Sequence, residues 1–143
     1  LFSSEIEFVL KNRIKMNKLI IDAASEKIFL MIISNASIYN ITHENTKINY
    51  EKLTIIIYDF LSSKNIKITN ISAIYINQGP GSFAGIRNSM SVVKAFNVAK
   101  NIDYYCYNLD DFKDEKDLSY ENIPNLCKKY KIKKNLINLV YLS

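Results

Sequence analysis

The sequence predicts an α/β domain built on a mixed five-stranded sheet, three antiparallel strands followed by parallel ones, with two main helices. Three observations lead there. Short apolar runs recur at strand length through the first third of the chain. The apolar spacing then changes to a helical one before a further strand. All three glycines cluster where a strand gives way to a helix, at Gly79, Gly81 and Gly85.

The first strand is read in Lys18–Ala23 (KLIIDA), the second in Lys27–Ser34 and the third in Ala36–Thr42. The separators Ala24-Ser25-Glu26 and Ser34-Asn35 suit hairpin turns, so these strands are expected as antiparallel neighbours. A helix capped by Asn49 is predicted over Tyr50–Ser63, with Leu53, Ile56, Ile57, Phe60 and Leu61 at helical spacing. Asn65–Asn70 is polar and loop-like. Ile71–Asn77 reads as a fourth strand, Phe83 or Ala84 to Lys100 as a second helix, and Asp103–Asn108 as a fifth strand. Helical crossovers between these last strands give the parallel part of the sheet. Beyond them, Asp110–Leu118 suggests a loop or short helix, Pro124–Tyr130 a short helix, and Leu136–Leu142 a terminal strand or docked tail.

Composition bounds the function classes. The 143 residues suit one domain, and 48% apolar content argues against disorder. No apolar run approaches the roughly 20 residues of a membrane span, so no membrane partner is expected. A net charge of +5 is compatible with a nucleic-acid partner but too small to specify one. Cys106 and Cys127 form no CxxC pair and are expected as reduced thiols in a cytoplasmic protein; His43 stands alone, and no metal site is expected. Residues 1–15 are expected to be a non-native or disordered extension, with Met16 as the start.

The loop Gln78–Gly85 (QGPGSFAG) carries the chemistry. Glycines at a strand-to-helix turn expose backbone N–H groups beside the positive end of a helix dipole, which favours anions. Pro80 stiffens the turn, Ser82 is a candidate helix cap, and Arg87 is placed to reach a phosphate or carboxylate. No Gly-Lys-Ser/Thr follows, so the loop is no Walker motif. The competing reading is that the glycines only permit close helix–sheet packing.

Asn77–Arg87 (NQGPGSFAGIR) resembles the signature of the TsaB (YeaZ) family, and Met16–Ala24 (MNKLIIDAA) is similar to that family's first strand. The resemblance implies a ribonuclease H-like lobe of the actin-like ATPase superfamily spanning 16–112, with 113–143 a short tail in place of the usual second lobe. It implies a non-catalytic subunit that docks on and stabilises a TsaD-like transferase. With a TsaE-like ATPase, that pair installs threonylcarbamoyl-adenosine in tRNA. The chain would then carry no cofactor of its own, with ATP and Mg²⁺ acting at the level of the complex and tRNA met indirectly.

This chain departs from the pattern in its Ala23-Ala24 after Asp22, its lack of a glycine turn after the first strand, its Ala84 where the signature has Thr, and its size. The alternatives are a minimal nucleotide-binding ATPase using Asp22, Gly79, Gly81, Ser82, Gly85 and Arg87, and a self-associating homodimer. Both helices carry apolar residues beyond one face, which points to a protein partner at Leu53, Ile56, Phe60, Met90, Val92, Val93 and Phe96. The lysines at 128, 129, 131, 133 and 134 are candidates for tRNA phosphate contact, or simply a solvated face.

Overall fold

The computed structural model describes residues 4–6 and 16–137. Most of the extension 1–15 and the tail beyond residue 137 lie outside the described residues, and with them most of the expected terminal strand.

The sheet has the order β3-β2-β1-β4-β5, formed by β1 (Asn17–Asp22), β2 (Lys27–Ile33), β3 (Ile38–Glu44), β4 (Ile71–Asn77) and β5 (Asp103–Tyr107). β1, β2 and β3 pair antiparallel, while β4 joins β1 and β5 joins β4 in parallel, as expected. Strand alternation sorts the side chains onto two faces. Leu19, Ile21, Ile28, Leu30, Ile32, Ile74, Ile76, Tyr104 and Cys106 point to one core; Ile20, Met31, Ala73, Tyr75 and Tyr107 point to the other.

The first core is closed by three helices: α1 (Lys47–Glu51), α2 (Leu53–Ser63) and α3 (Phe83–Lys100). The single helix expected over Tyr50–Ser63 is thus two, with Lys52 (φ −98°, ψ 10°) between them. Its start is also corrected. Thr46 is the cap, its hydroxyl accepting from the Asn49 N–H at 3.2 Å, while the Asn49 amide donates to the Glu44 carbonyl at 2.7 Å. The polar stretch Asn65–Asn70 closes on one 3-10 turn, Ile68–Asn70. Asn101 ends α3 in the left-handed conformation (φ 55°), which glycine supplies more often than asparagine where helices end this way.

The second core is closed by the segment after β5. Phe112, Ile123, Leu126 and Cys127 pack there on the sheet, the last three from α4 (Ile123–Lys129). Through Ile132 the tail covers the face opposite α2 and α3; beyond it, Asn135 accepts from the Asn97 side chain of α3 at 3.2 Å and Ile137 packs against the first core. Asn135 then pins it to β5, its N–H donating to the Tyr104 carbonyl at 2.7 Å and its side-chain oxygen accepting from the Tyr104 N–H at 2.9 Å. The result is helix layer, sheet, tail layer.

Candidate functional site

The glycine loop leaves β4 on the buried side chains of Asn77 and Gln78. Asn77 Oδ1 accepts from the Gly79 N–H at 2.8 Å, and the Gly79 carbonyl accepts from Leu109 N–H at 3.0 Å. Gly79 has φ 123°, a backbone region that side chains disfavour, and precedes Pro80 through a cis peptide bond. Ser82 caps α3 as expected: its hydroxyl accepts from the Gly85 N–H at 3.2 Å and lies 3.0 Å from the Tyr50 hydroxyl.

Gly81 and Gly85 are fixed by what they press against. A Cβ on Gly81 would sit 2.2 Å from the Ala24 carbonyl oxygen, and one on Gly85 would sit 1.9 Å from that of Ala23. Ser82 N–H also donates to the Ala24 carbonyl at 2.8 Å. Asn45 Nδ2 holds the other side of this hairpin turn, donating to the Ser25 carbonyl and to that of Ala23. The loop is therefore clamped onto the β1–β2 turn, and both glycines serve that close approach.

Asp22, at the end of β1, is 4% exposed. One carboxylate oxygen accepts from the Ala24 N–H at 3.0 Å, and the other accepts from the Tyr120 hydroxyl at 2.8 Å. Tyr120 arrives from the tail and stacks on Phe29 with ring centroids 4.0 Å apart. Burial and the adjacent Asp22 charge raise the Tyr120 pKa, so its hydroxyl stays a donor. Tyr107 lies in the same buried region, its hydroxyl without a hydrogen-bond partner among the described residues. Asp22 and the glycine loop are thus brought together through Ala23 and Ala24, as a shared site requires. Arg87 is exposed on α3, its carbonyl accepting from Ser91 Oγ.

These residues do not fit a bound magnesium nucleotide. Both Asp22 oxygens are engaged, the side-chain volume at Gly81 and Gly85 is taken by backbone carbonyls, and Ala23 and Ala24 offer no hydroxyl. Tyr120 is the contributor that the sequence reading missed. It lies 98 positions from Asp22, and no local pattern in the sequence links the two.

The expected partner surface needs correction in detail. Leu53, Phe60, Met90, Val93 and Phe96 are buried in the chain's own first core, because the sheet face and the α2–α3 seam consume them. Ile56 and Val92 are half-buried. The apolar groups left facing outward on these helices include Ile55 (58% exposed), Tyr58 and Val98.

The lysine run also divides. Lys129 pairs with Glu115 at 2.5 Å and Lys134 with Asp103 at 3.7 Å, whereas Lys128 and Lys131 border a cavity. Burial pushes the Cys106 and Cys127 thiols up to about 12, and neither is in a disulfide.

Sheet order, two-sided packing and glycine loop define the class: a ribonuclease H-like α/β lobe. Within it, residues 43–108 match the family model of TsaD, tRNA N6-adenosine threonylcarbamoyltransferase. YeaZ from Pseudomonas aeruginosa superposes with a TM-score of 0.59 at 18% identity, covering 64% of this chain and 43% of that one. A second structure, an uncharacterized protein with similarity to peptidase YeaZ from Pseudomonas aeruginosa, gives 0.60 at 18% identity, with 70% and 49% covered. RuvC from Thermus thermophilus, in complex with a Holliday junction substrate, shares the fold more distantly: TM-score 0.50, 9% identity, 86% and 83% covered. No curated protein matches the chain. The chain spans less than half the length of the two YeaZ-type structures it resembles.

Proposed function

We propose that this chain is a non-catalytic partner subunit in tRNA threonylcarbamoyl-adenosine formation, docking on a TsaD-like transferase through the outer side of α2 and α3. The observation that carries the reading is the apolar seam left on that side. Ile55 projects at 58% exposure, and Tyr58 lies edge-on to Phe96 with centroids 5.8 Å apart. Val92, one turn before Phe96, shares that side of α3. An apolar surface of this kind is a normal substrate for association. The match to TsaD over residues 43–108 includes α1, α2, β4, α3 and β5, so the surface falls within the matched segment. The committed Asp22 oxygens favour a binding role over nucleotide hydrolysis.

A pull-down with a TsaD-like subunit tests this. Wild-type chain is retained, and Ile55→Asp or Tyr58→Asp, both at exposed positions, releases it while leaving its thermal melt in place. Retention of both variants at the wild-type level overturns the reading. A TsaE-like ATPase joining the pair, and tRNA met through the complex, belong to the same proposal. Self-association through the same surface predicts a dimeric mass for the isolated chain, reduced to monomer by the same substitutions.

A further inference from the structure

We infer that the cavity between the sheet's tail-side face and α4 is a binding site for a nucleoside phosphate, separate from the glycine loop and from the proposed docking surface. It measures about 490 Å³, within the range of small-molecule sites, roughly 300–1,000 Å³. Lys18 at the start of β1, Lys128 in α4 and Lys131 just after it stand on its wall, and among the described residues no carboxylate does. These three lysines have no ion pair among the described residues, although neighbouring Lys129 and Lys134 each have one. Three unneutralised ammonium groups around one concavity form a field that selects an anion, and phosphate is the anion that can accept from several of them at once.

The remainder of the lining is of another kind. Tyr75 and Tyr105 lie side by side on β4 and β5, rings 5.1 Å apart and 12° from parallel, with Pro124, Cys127 and Ile132 around them. That surface suits a planar, weakly polar ring. The Tyr75 hydroxyl makes no hydrogen bond among the described residues, and burial keeps it protonated as a donor. Cation wall and aromatic floor together match a ligand with a phosphate at one end and a base at the other. The ligand is either a free mononucleotide or one nucleotide of an RNA strand.

The test uses the full chain and adenosine monophosphate as the probe, followed by calorimetry at low salt. Binding is saturable, and both adenosine and inorganic phosphate bind more weakly than the nucleotide. Lys128→Ala with Lys131→Asn weakens nucleotide binding about tenfold, and Tyr105→Leu lowers the advantage of nucleotide over phosphate. All three substitutions are at exposed or half-buried positions, and an unchanged melt shows that the fold persists. A short RNA that displaces the nucleotide more tightly than free nucleotide assigns the site to a strand; the reverse order assigns it to the free molecule. No heat with the nucleotide, equal binding by phosphate alone, or unchanged affinity in the lysine variant overturns the proposal. Retention by the transferase subunit is not altered by these substitutions, so the two proposals fail independently.

Discussion

The Tyr120 hydroxyl donates to Asp22 Oδ2 at 2.8 Å, joining the tail to the end of the first strand across 98 positions. The Phe29 ring stacked on Tyr120 fixes the geometry of that bond.

Removing the phenol oxygen tests how much the contact contributes. Tyr120→Phe retains the stacking on Phe29 and loses the hydrogen bond, leaving a buried carboxylate oxygen without its partner. Stability falls by about 1–2 kcal/mol, read from the urea midpoint. An unchanged midpoint means that Asp22 finds another donor.

The two clamped glycines respond differently from the third. Gly81→Ala and Gly85→Ala each drive a methyl into a backbone carbonyl, at 2.2 Å and 1.9 Å, and cost about 3 kcal/mol or more. Gly79→Ala brings a methyl to 3.3 Å from the movable end of the Ile86 side chain, so most of its cost is the positive φ of 123°, about 1–3 kcal/mol. Thermal melts of the three variants give the order.

Loss of the α3 cap is milder. Ser82→Ala frees the Gly85 N–H and the Tyr50 hydroxyl together, and lowers stability by about 1 kcal/mol. Ser82→Thr retains most of it. A comparison of their denaturation midpoints separates lost hydrogen bonding from lost volume.

The buried thiols set an alkaline limit. Cys106 and Cys127 have pKa values raised by burial from an ordinary value near 9 to about 12, so the folded chain retains protons that the unfolded chain releases. Their contribution to stability is complete below pH 9 and is lost as pH rises from 9 towards 12. Alkylation at pH 8 is correspondingly slow in the folded chain and fast in urea. Rapid labelling of either thiol without denaturant contradicts their placement.

Much of this arrangement was legible in the sequence. β4 matches its expected bounds at both ends because Ile71–Asn77 is a compact apolar run between polar stretches. The glycine loop and the Ser82 cap were legible because glycine is so scarce elsewhere that its clustering marks the turn. The break at Lys52 was not, since no glycine or proline signals it and the Thr46 cap competes with Asn49 for the same helix start. Helical periodicity showed that α2 and α3 are apolar on more than one side. It did not show that Leu53, Phe60, Met90, Val93 and Phe96 are used up by the internal core, which depends on how two helices pack on a sheet of five strands. The tail's position was beyond local pattern altogether, because Tyr120 and Asn135 act through partners far away in the chain.

Asparagine does here some of the work that glycine does elsewhere. Asn65, Asn101 and Asn135 all hold left-handed backbone, at φ 57°, 55° and 60°. Only Asn135 among them ties its side chain to β5, through Tyr104 and Asp103. Reverse bends at the other two thus draw on a residue type whose codons are rich in adenine and thymine, so a genome short of guanine and cytosine can retain this topology while reserving glycine for the loop where a methyl group has nowhere to go.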